Sequence, residues 1–291
     1  MLVARGTPQS VSPSYPAGVN ALTELQAPNT SQGKGQPAPA VSVVVPVKNE
    51  AGNIAPLVAE IAAALQGRRF EIVYVNDGSE DATEAELLDL MAKWPCLRQI
   101  RHDKSFGQSA AVRTGVAMAR APIIVTLDGD RQNDPAYIPQ MIAALESTPR
   151  IGLAAAQRVG RKATLYKKLQ SRIANSVRSA VLKDGTRDTG CGMKAFRRDL
   201  FQSLPYFDGI HCFLPALVRR EGFDIGYVDV VDRPRSIGTS NYGMWNRLWV
   251  GILDMAGVWW LIRRRKQVPQ PEEITPGSLS AGAPPSRQGR S

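Results

Sequence analysis

The chain has 291 residues, 43% of them hydrophobic, and its 36 basic and 26 acidic side chains give a formal net charge of +10. This length suits one large α/β domain or two smaller ones. Three cysteines, Cys96, Cys191 and Cys212, are odd in number and lack metal-ligand spacing. They indicate reduced thiols in a cytosol-facing protein and argue against a disulfide-stapled secreted domain, as does the lack of a signal-peptide apolar core.

Both ends of the chain are predicted to be disordered. Residues 1–40 carry six prolines among Ser, Gly and Gln, and residues 267–291 carry five more. Neither segment shows a sustained apolar period, so neither buries enough apolar surface to offset the entropy of ordering it. The folded part is therefore expected between residues 41 and 266.

Strands and helices alternate through the first half of this folded part. Strands are predicted at 41–47, 70–75, 97–101 and from 123, with helices at 53–66, 82–94 and 108–120 between them. This alternation is typical of a mostly parallel α/β sheet. No G-x-G-x-x-G follows the first strand, which argues against a dinucleotide-binding enzyme.

Two carboxylates, Asp128 and Asp130, follow the predicted strand that begins at Ile123. Ligands of open α/β sheets bind outside the carboxyl ends of the strands, and oxygen ligands such as these, with the amide of Gln132, suit Mg²⁺ or Mn²⁺. A lone D-x-D is equally compatible with a solvated acidic turn. Further acids follow the other strands, and several carboxylates at one sheet edge repel each other without a cation, which favours the metal site.

Four motifs follow one another along the chain: Val44-Val-Pro46-Val-Lys48-Asn-Glu50, Val75-Asn-Asp77-Gly-Ser, Gly107-Gln-Ser-Ala-Ala-Val-Arg-Thr-Gly115 and Asp128-Gly-Asp130-Arg-Gln132. Together they resemble the inverting family 2 glycosyltransferases, and most of all their polyprenyl-phosphate branch, the branch of dolichol-phosphate mannose synthase. The resemblance runs from about Val41 to about Lys266 and implies a GT-A fold and a nucleotide-sugar donor.

The resemblance also implies roles for individual residues. Asp128, Asp130 and Gln132 would hold a Mg²⁺ or Mn²⁺ ion, and six residues would line the nucleotide-sugar pocket: Pro46, Lys48, Glu50, Val75, Asp77 and Gly129. Lys48 and Asn76 depart from the residues that many relatives carry, which leaves the base and the sugar open.

The segment from Arg158 to Arg187 contains nine basic residues against one acid, Asp184, and part of it is predicted to be a helix at 164–182. Such a run is compatible with a solvated face, an anionic lipid surface or an acceptor phosphate. The resemblance places the acceptor phosphate beside Arg158 and Lys168. Nucleic acid is not expected as a partner, because no nucleic-acid-binding motif accompanies the charge.

Two later segments complete the implied site. Asp188-Thr-Gly190-Cys-Gly192 resembles the segment where acceptor and leaving group meet, and its glycines indicate either close approach to a ligand or a turn. Residues 233–242 are predicted to form a mobile loop, in which Arg235 resembles the family arginine that reaches the diphosphate or is simply exposed. A lone His211 receives no role.

Residues 244–266 are predicted to form an amphipathic helix with a basic end. Its apolar run from Leu248 to Ile262 has 15 residues and is interrupted by Asp254, whereas a span takes about 20. Four tryptophans beside basic residues suit the headgroup boundary, although a helix buried against the domain fits the same pattern. The expected location is the cytoplasmic face of the inner membrane.

The function expected from this pattern is transfer of a sugar from a nucleotide diphosphate sugar to a polyprenyl phosphate, with Asp130, Asp188 and Arg235 as catalytic residues. An acceptor phosphate is already largely ionised and needs no strong base. Resemblance to relatives that modify cell-envelope lipopolysaccharide favours a UDP-sugar such as UDP-galacturonate. The alternatives are transfer to a hydroxyl of a glycan or lipid with Asp188 as base, or a non-catalytic nucleotide-sugar or nucleic-acid binding module.

Overall fold

The computed structural model describes residues 38–159, 178–186, 188–234 and 244–265, and its strands form a seven-stranded sheet. The strand order is β3-β2-β1-β4-β6-β5-β7; β6 runs antiparallel to β4 and β5, and the other neighbours are parallel. This confirms the predicted mostly parallel α/β sheet. The strands are β1 Val41–Val47, β2 Phe70–Asp77, β3 Leu97–His102, β4 Ile123–Thr126, β5 Ile151–Arg158, β6 Lys194–Arg197 and β7 Asp224–Val230.

The helices flank the sheet and follow the predicted order. They are α1 Ile54–Ala64, α2 Thr83–Met91, α3 Gln108–Met118, α4 Ile138–Glu146, α5 Arg198–Ser203, α6 Ile210–Arg220 and α7 Met244–Arg263. A 3₁₀ turn, Pro135–Tyr137, precedes α4, and residues 178–182 are helical. The first three helices lie inside their predicted ranges, with ends shortened by the few residues over which helix termini fray.

The central position of β1 follows from its sequence, Val-Ser-Val-Val-Val-Pro-Val. Val43 and Val45 pack into one core with α1 and α4, whereas Val44 packs into a second core with α3 and α6. A parallel strand that is covered on both faces needs a continuous run of β-branched residues rather than an alternating one. The sheet is therefore the middle of three layers, and its strand ends are the parts left open to ligands.

Gly115 lets α3 lie directly on β1. A Cβ atom at this position would lie 2.3 Å from Val44 Cγ1. We expect Gly115→Ala to lower the free energy of unfolding by about 1–3 kcal/mol, because overpacking forces a shift of the helix or the strand. Urea unfolding measures this change.

Gly257→Ala is the matched control for Gly115→Ala, since Gly257 also lies in a helix but a Cβ atom there meets nothing within 4 Å. Alanine is the better helix former, so this substitution should be neutral or stabilise by up to about 1 kcal/mol. Equal effects of the two substitutions would contradict the close packing of α3 on β1.

The last helix, α7, is only half covered by the domain. Val258 is buried, and Met255, Leu261 and Ile262 are partly buried in the core that contains α6. Within the described parts of the chain, none of the helices has the length and apolar content needed to cross a bilayer. The described helix ends at Arg263, and residues 1–37 and 266–291, which hold the predicted disordered ends, lie outside the described residues.

Candidate active site

The candidate site lies where β1, β2 and β4 end. Pro46 and Val47 of β1 pair with Val75 and Asn76 of β2, and the next residues along lead out of the sheet. β4 ends at Thr126, so Asp128 emerges beside the end of β1. A small pocket at this edge is lined by side chains that include Pro46, Gln108, Thr126, Asp128, Lys194 and His211.

The turn after β4 is held by hydrogen bonds within itself and from α3. Asp128 Oδ1 accepts a hydrogen bond from Gln108 Nε2 at 2.9 Å, and Asp130 Oδ1 accepts one from the backbone N–H of Gln132 at 3.1 Å. Asn133 Oδ1 accepts from the backbone N–H of Asp128 at 3.4 Å. The three residues that the sequence assigned to a metal therefore lie in one turn, whose two carboxylates are fixed from separate sides.

The two glycines near Cys191 show where close approach is needed. A Cβ atom at Gly192 would lie 2.2 Å from Asp128 Oδ2, so the chain passes directly against this carboxylate. A Cβ atom at Gly190 would lie 3.2 Å from Arg158 Nη2, a tight contact of the same kind. At Gly192 the group that approaches is therefore an acidic side chain of the protein itself, and any side chain there would displace Asp128.

Burial raises the pKa of Asp128 to about 6, and the neighbouring charge of Asp130 acts in the same direction. Lys194 and Arg158 oppose this rise. Burial and the neighbouring negative charge thus both disfavour the ionised form of Asp128.

Arg158 lies at the end of β5 and is enclosed by two carboxylates. Its Nε and Nη2 donate to Asp188 Oδ2 and Oδ1 at 2.5 and 2.8 Å, and its Nη1 donates to Asp232 Oδ2 at 3.3 Å. Burial would raise the pKa of Asp188, but hydrogen bonds and the charge of Arg158 lower it below its usual value. This bidentate pair fixes the guanidinium plane, and its Nη1 and Nη2 groups keep hydrogens that these bonds do not use.

Among the described residues of this cluster, carboxylates outnumber cations. The carboxylates are those of Asp128, Asp130, Asp188 and Asp232, and the cations are Arg158 and Lys194. Carboxylate oxygens such as those of Asp128 and Asp130 suit Mg²⁺ or Mn²⁺. In the described part of the chain, no group of three or more His, Cys, Asp or Glu side chains is placed to hold a metal ion. Asp128 and Asp130 therefore fit such an ion only if substrate oxygens complete its shell.

The nucleotide-pocket residues divide into an exposed and a buried set. Lys48 is exposed, and Glu50 is partly exposed and accepts a hydrogen bond from Asn53 Nδ2 at 2.8 Å. Gly129 is buried, and a Cβ atom there would lie 2.4 Å from Val47 Cγ1, so it lets the turn pack against β1. Val75 is 0% exposed in the core beneath α3, so its side chain supports this edge of the sheet, and its contact with a nucleoside stays a prediction.

The carboxylate of Asp77 forms its hydrogen bonds with groups of the protein itself. Its Oδ1 accepts from Phe106 N and its Oδ2 from Ser105 Oγ and Gly107 N, at 2.8–2.9 Å, and His102 Nδ1 lies 2.8 Å from Oδ1. Burial would raise the pKa of Asp77, but these hydrogen bonds lower it. Asp77 therefore orders the turn that leads into α3, which in turn places Gln108 on Asp128.

Four polar residues of the pocket were not assigned by the sequence: Gln108, Thr126, Lys194 and His211. His211 Nδ1 lies 2.7 Å from Ser109 Oγ, which accepts from the backbone N–H of Gly209 at 2.9 Å. Burial, with a further contribution from Lys194, lowers the pKa of His211 to about 4, so this imidazole is neutral near pH 7. The motif at 107–115, which begins and ends with glycine, could have identified Gln108 as a site residue. Lys194 and His211 reach the pocket only through tertiary contacts.

Two assigned residues, Lys168 and Arg235, lie outside the described residues, as do the segments 160–177 and 235–243 around them. The residues just before the second segment nevertheless lie beside the turn that carries Asp128 and Asp130. The backbone N–H of Arg233 donates to Gln132 O at 2.9 Å, and its guanidinium contacts Glu60 and Asp134, both at 2.7 Å.

The chain resembles known proteins in both sequence and fold. A dodecaprenyl-phosphate galacturonate synthase from Rhizobium johnstonii is 34% identical over 77% of this chain and 67% of its own length. An undecaprenyl-phosphate 4-deoxy-4-formamido-L-arabinose transferase from Pectobacterium carotovorum is 31% identical over 69% of this chain and 62% of its own length. The chain thus spans about two thirds of the length of these relatives.

The fold matches solved GT-A structures. Glucosyl-3-phosphoglycerate synthase from Mycobacterium tuberculosis, in complex with Mn²⁺, UDP and glucosyl-3-phosphoglycerate, aligns with a TM-score of 0.58 at 18% identity, over 77% of this chain and 80% of that one. The same enzyme with Mg²⁺ and UDP aligns with a TM-score of 0.59 at 21% identity, over 75% and 80%. At this identity the likeness confirms the predicted fold. The model of the family described as "Glycosyl transferase family 2" matches residues 42–204, and the chain belongs to this family of glycosyltransferases.

Proposed function

We propose that this enzyme transfers a sugar from a UDP-sugar to the phosphate of a polyprenyl phosphate, with a divalent metal ion at Asp128 and Asp130. The observation that carries the proposal is that the glycines of one short segment lie against Asp128 and against the Arg158–Asp188 pair, which brings the acidic turn and this ion pair to the same site. This arrangement suits a metal-bound diphosphate on one side and a phosphate beside a fixed guanidinium on the other. The sequence relatives are named for the same kind of acceptor.

The donor half of the site follows from charge. Cleavage of a nucleotide diphosphate sugar leaves a nucleoside diphosphate, and a divalent ion, when bound, neutralises part of the charge that develops on it. The protein contributes the geometry, because the Gln108 side chain holds Asp128 and the backbone N–H of Gln132 holds Asp130 before the substrate arrives. Such preorganised groups need no rearrangement as charge develops.

The acceptor half needs no general base in the protein. A phosphate monoester carries about 1.5–2 negative charges at pH 7 and is already a nucleophile. Asp188, the candidate base for a hydroxyl acceptor, is paired bidentately with Arg158, and its pKa is lowered. A carboxylate with a lowered pKa is a poor proton acceptor, which disfavours a hydroxyl acceptor. We assign Asp188 the role of positioning Arg158, whose remaining N–H groups face the acceptor phosphate.

The exposed face of α7 supports association with a membrane surface. Leu253 is 70% exposed and Trp260 is 55% exposed, and Ile252 and Trp259 belong to the same outward-facing set. The guanidinium of Arg263 lies 4.2 Å from the Trp259 ring centroid. Tryptophans beside arginines suit the level of lipid headgroups, where the acceptor phosphate of a polyprenyl lipid also lies.

Replacing Trp259 and Trp260 together with Ala should weaken binding to anionic vesicles at least about tenfold, because two large apolar side chains no longer enter the interface. Vesicle co-sedimentation measures this loss. Val258→Ala, on the inward face of the same helix, should instead lower Tm and leave vesicle binding intact. If the double substitution left vesicle binding unchanged, α7 would not be the membrane contact.

The proposed function is tested by a donor screen. Purified protein, Mn²⁺ and polyprenyl phosphate are incubated with radiolabelled UDP- and GDP-sugars, with UDP-galacturonate first because of the galacturonate synthase relative. We expect label in a chloroform-soluble, mild-acid-labile product from a UDP-sugar, and no such product in EDTA. Failure of every donor with long and short polyprenyl phosphates would overturn the proposal.

A further inference from the structure

His211 is one of two histidines in the chain, and the two differ in how their rings are bonded. Both ring nitrogens of His102 contact side chains of the protein, Nδ1 with Asp77 Oδ1 at 2.8 Å and Nε2 with Thr114 Oγ1 at 3.0 Å. The Nδ1 of His211 contacts Ser109 Oγ at 2.7 Å, and within the described residues its Nε2 forms no hydrogen bond. Of the two rings, that of His211 thus keeps a nitrogen for another molecule.

The hydroxyl of Ser109 decides which nitrogen of His211 carries the proton. Ser109 is 0% exposed, and its Oγ already accepts from the backbone N–H of Gly209 at 2.9 Å. A hydroxyl has one hydrogen to donate, and His211 Nδ1 is an acceptor within its reach. If Nδ1 carried the proton instead, this buried hydroxyl would have no acceptor among the described residues, which is unfavourable. In the neutral ring the proton therefore lies on Nε2.

The Nε2 edge of the ring faces the pocket at the strand ends. His211 lines this pocket together with Gln108, Asp128 and Lys194, whereas Ser109 is buried behind it. The imidazole thus lies between Ser109 and the pocket, with Nδ1 toward the serine and Nε2–H toward the open side. The ring therefore presents one neutral hydrogen-bond donor to a group that enters the pocket.

We propose that His211 is a substrate-contacting residue, whose Nε2–H donates a hydrogen bond to a hydroxyl oxygen of the sugar that is transferred. This inference rests on the proposed function. The pocket borders Asp128 on the side of the donor diphosphate, and it borders Gly192, whose neighbour Gly190 lies against Arg158 on the side of the acceptor. The group that lies between a donor diphosphate and an acceptor phosphate is the sugar. Its hydroxyls are uncharged, so Asp128 does not repel them, and they accept from an N–H group.

Side-chain ¹⁵N NMR tests the tautomer in the wild-type protein, because the chain contributes only two histidines. At about pH 8, where an ordinary imidazole is neutral, we expect His211 to carry its proton on Nε2. With Mg²⁺ present, the UDP-sugar preferred in the donor screen should shift the Nε2 signal, and UDP alone should leave it nearly unchanged. A proton on Nδ1, or equal shifts with UDP and with the UDP-sugar, would overturn the inference.

Two substitutions separate the pocket contact of His211 from its contact with Ser109. Asparagine keeps a polar group near the position of Nδ1 and so keeps the contact with Ser109, whereas glutamine places an amide N–H near the position of Nε2. We expect His211→Asn to bind the UDP-sugar on the order of tenfold more weakly, the scale of one hydrogen bond, with UDP affinity and Tm close to wild type. His211→Gln should lower Tm but keep most of the affinity for the UDP-sugar. Calorimetry with Mg²⁺ measures both affinities.

His102→Gln is the matched control, since both ring nitrogens of His102 are used within the protein. It should lower Tm and leave the ratio of UDP-sugar affinity to UDP affinity unchanged. If neither variant of His211 folds, the NMR measurement on wild type decides alone. If wild type binds no UDP-sugar, the proposed function fails as well, whereas wild-type binding with an unchanged affinity ratio in His211→Asn overturns the inference alone.

Discussion

Asp130→Asn should lower turnover by about 10²–10³-fold while the protein stays folded, which is the usual cost of losing one electrostatic partner of the transition state. Asp130 is 7% exposed, and its Oδ1 accepts a hydrogen bond from the backbone N–H of Gln132 at 3.1 Å. An asparagine keeps this oxygen and the shape of the turn but removes the charge. Steady-state rates at saturating donor and Mn²⁺ measure the loss, and an unchanged Tm shows that the fold is intact.

Asp134→Asn provides the control for Asp130→Asn, because Asp134 lies four residues further along the same segment. Its Oδ1 accepts from Ala136 N at 2.9 Å and contacts Arg233, so it caps the 3₁₀ turn. We expect turnover within a few-fold of wild type for this variant. Near-normal turnover of Asp130→Asn with Mg²⁺ or Mn²⁺ would rule out Asp130 as a metal ligand.

Arg158→Ala should reduce kcat/KM for a short, water-soluble prenyl phosphate by about 10²-fold or more, the range found when one member of a buried charge pair is truncated. The loss has two sources, the missing contact with the acceptor phosphate and the uncompensated charges of Asp188 and Asp232. If Arg158 contacts the acceptor, KM for the acceptor rises far more than KM for the donor. Measuring both KM values separates this role from general damage to the site.

Arg150→Ala is the control for Arg158→Ala. Arg150 precedes the other end of β5 and pairs with Asp224 at 3.1 Å, with side chains 79% and 57% exposed. Exposed pairs of this kind contribute about 0–1 kcal/mol, so turnover and Tm should barely change. Equal and small effects of both substitutions would mean that positive charge acts here as a diffuse field, with no specific phosphate contact at Arg158.

The strands and helices up to β4 were predictable because their patterns are local. The Val-rich run of β1 and the alternation of elements after it give the parallel sheet without knowledge of any long-range contact. β6 is different, since it has four residues and is inserted between β4 and β5 by antiparallel pairing with residues from Ile123 to Thr126. Its neighbour β5 is Ala-rich, and alanine is depleted in strands. β6 is thus too short to be identified from its own pattern, and the alanines of β5 hide its strand character.

The candidate site was predictable where a motif is continuous in sequence. Asp128 and Asp130 share one turn, as their spacing indicated. The pairing of Arg158 with Asp188, 30 residues apart, depends on how β5 and β6 lie side by side. The enclosure of Asp77 by the turn at 105–107 likewise appears only in the folded chain. Sequence thus identifies charged residues, and the fold decides which of them neutralise one another.

The central claim is that a phosphate oxygen accepts the sugar. The most direct measurement compares polyprenyl phosphate with the matched polyprenol, at equal concentration, with Mn²⁺ and the preferred UDP-sugar. The arrangement of Asp188, bound by Arg158 at 2.5 and 2.8 Å, predicts a mild-acid-labile sugar product with polyprenyl phosphate and none with polyprenol. Comparable transfer to polyprenol, giving an acid-stable glycoside, would contradict this account.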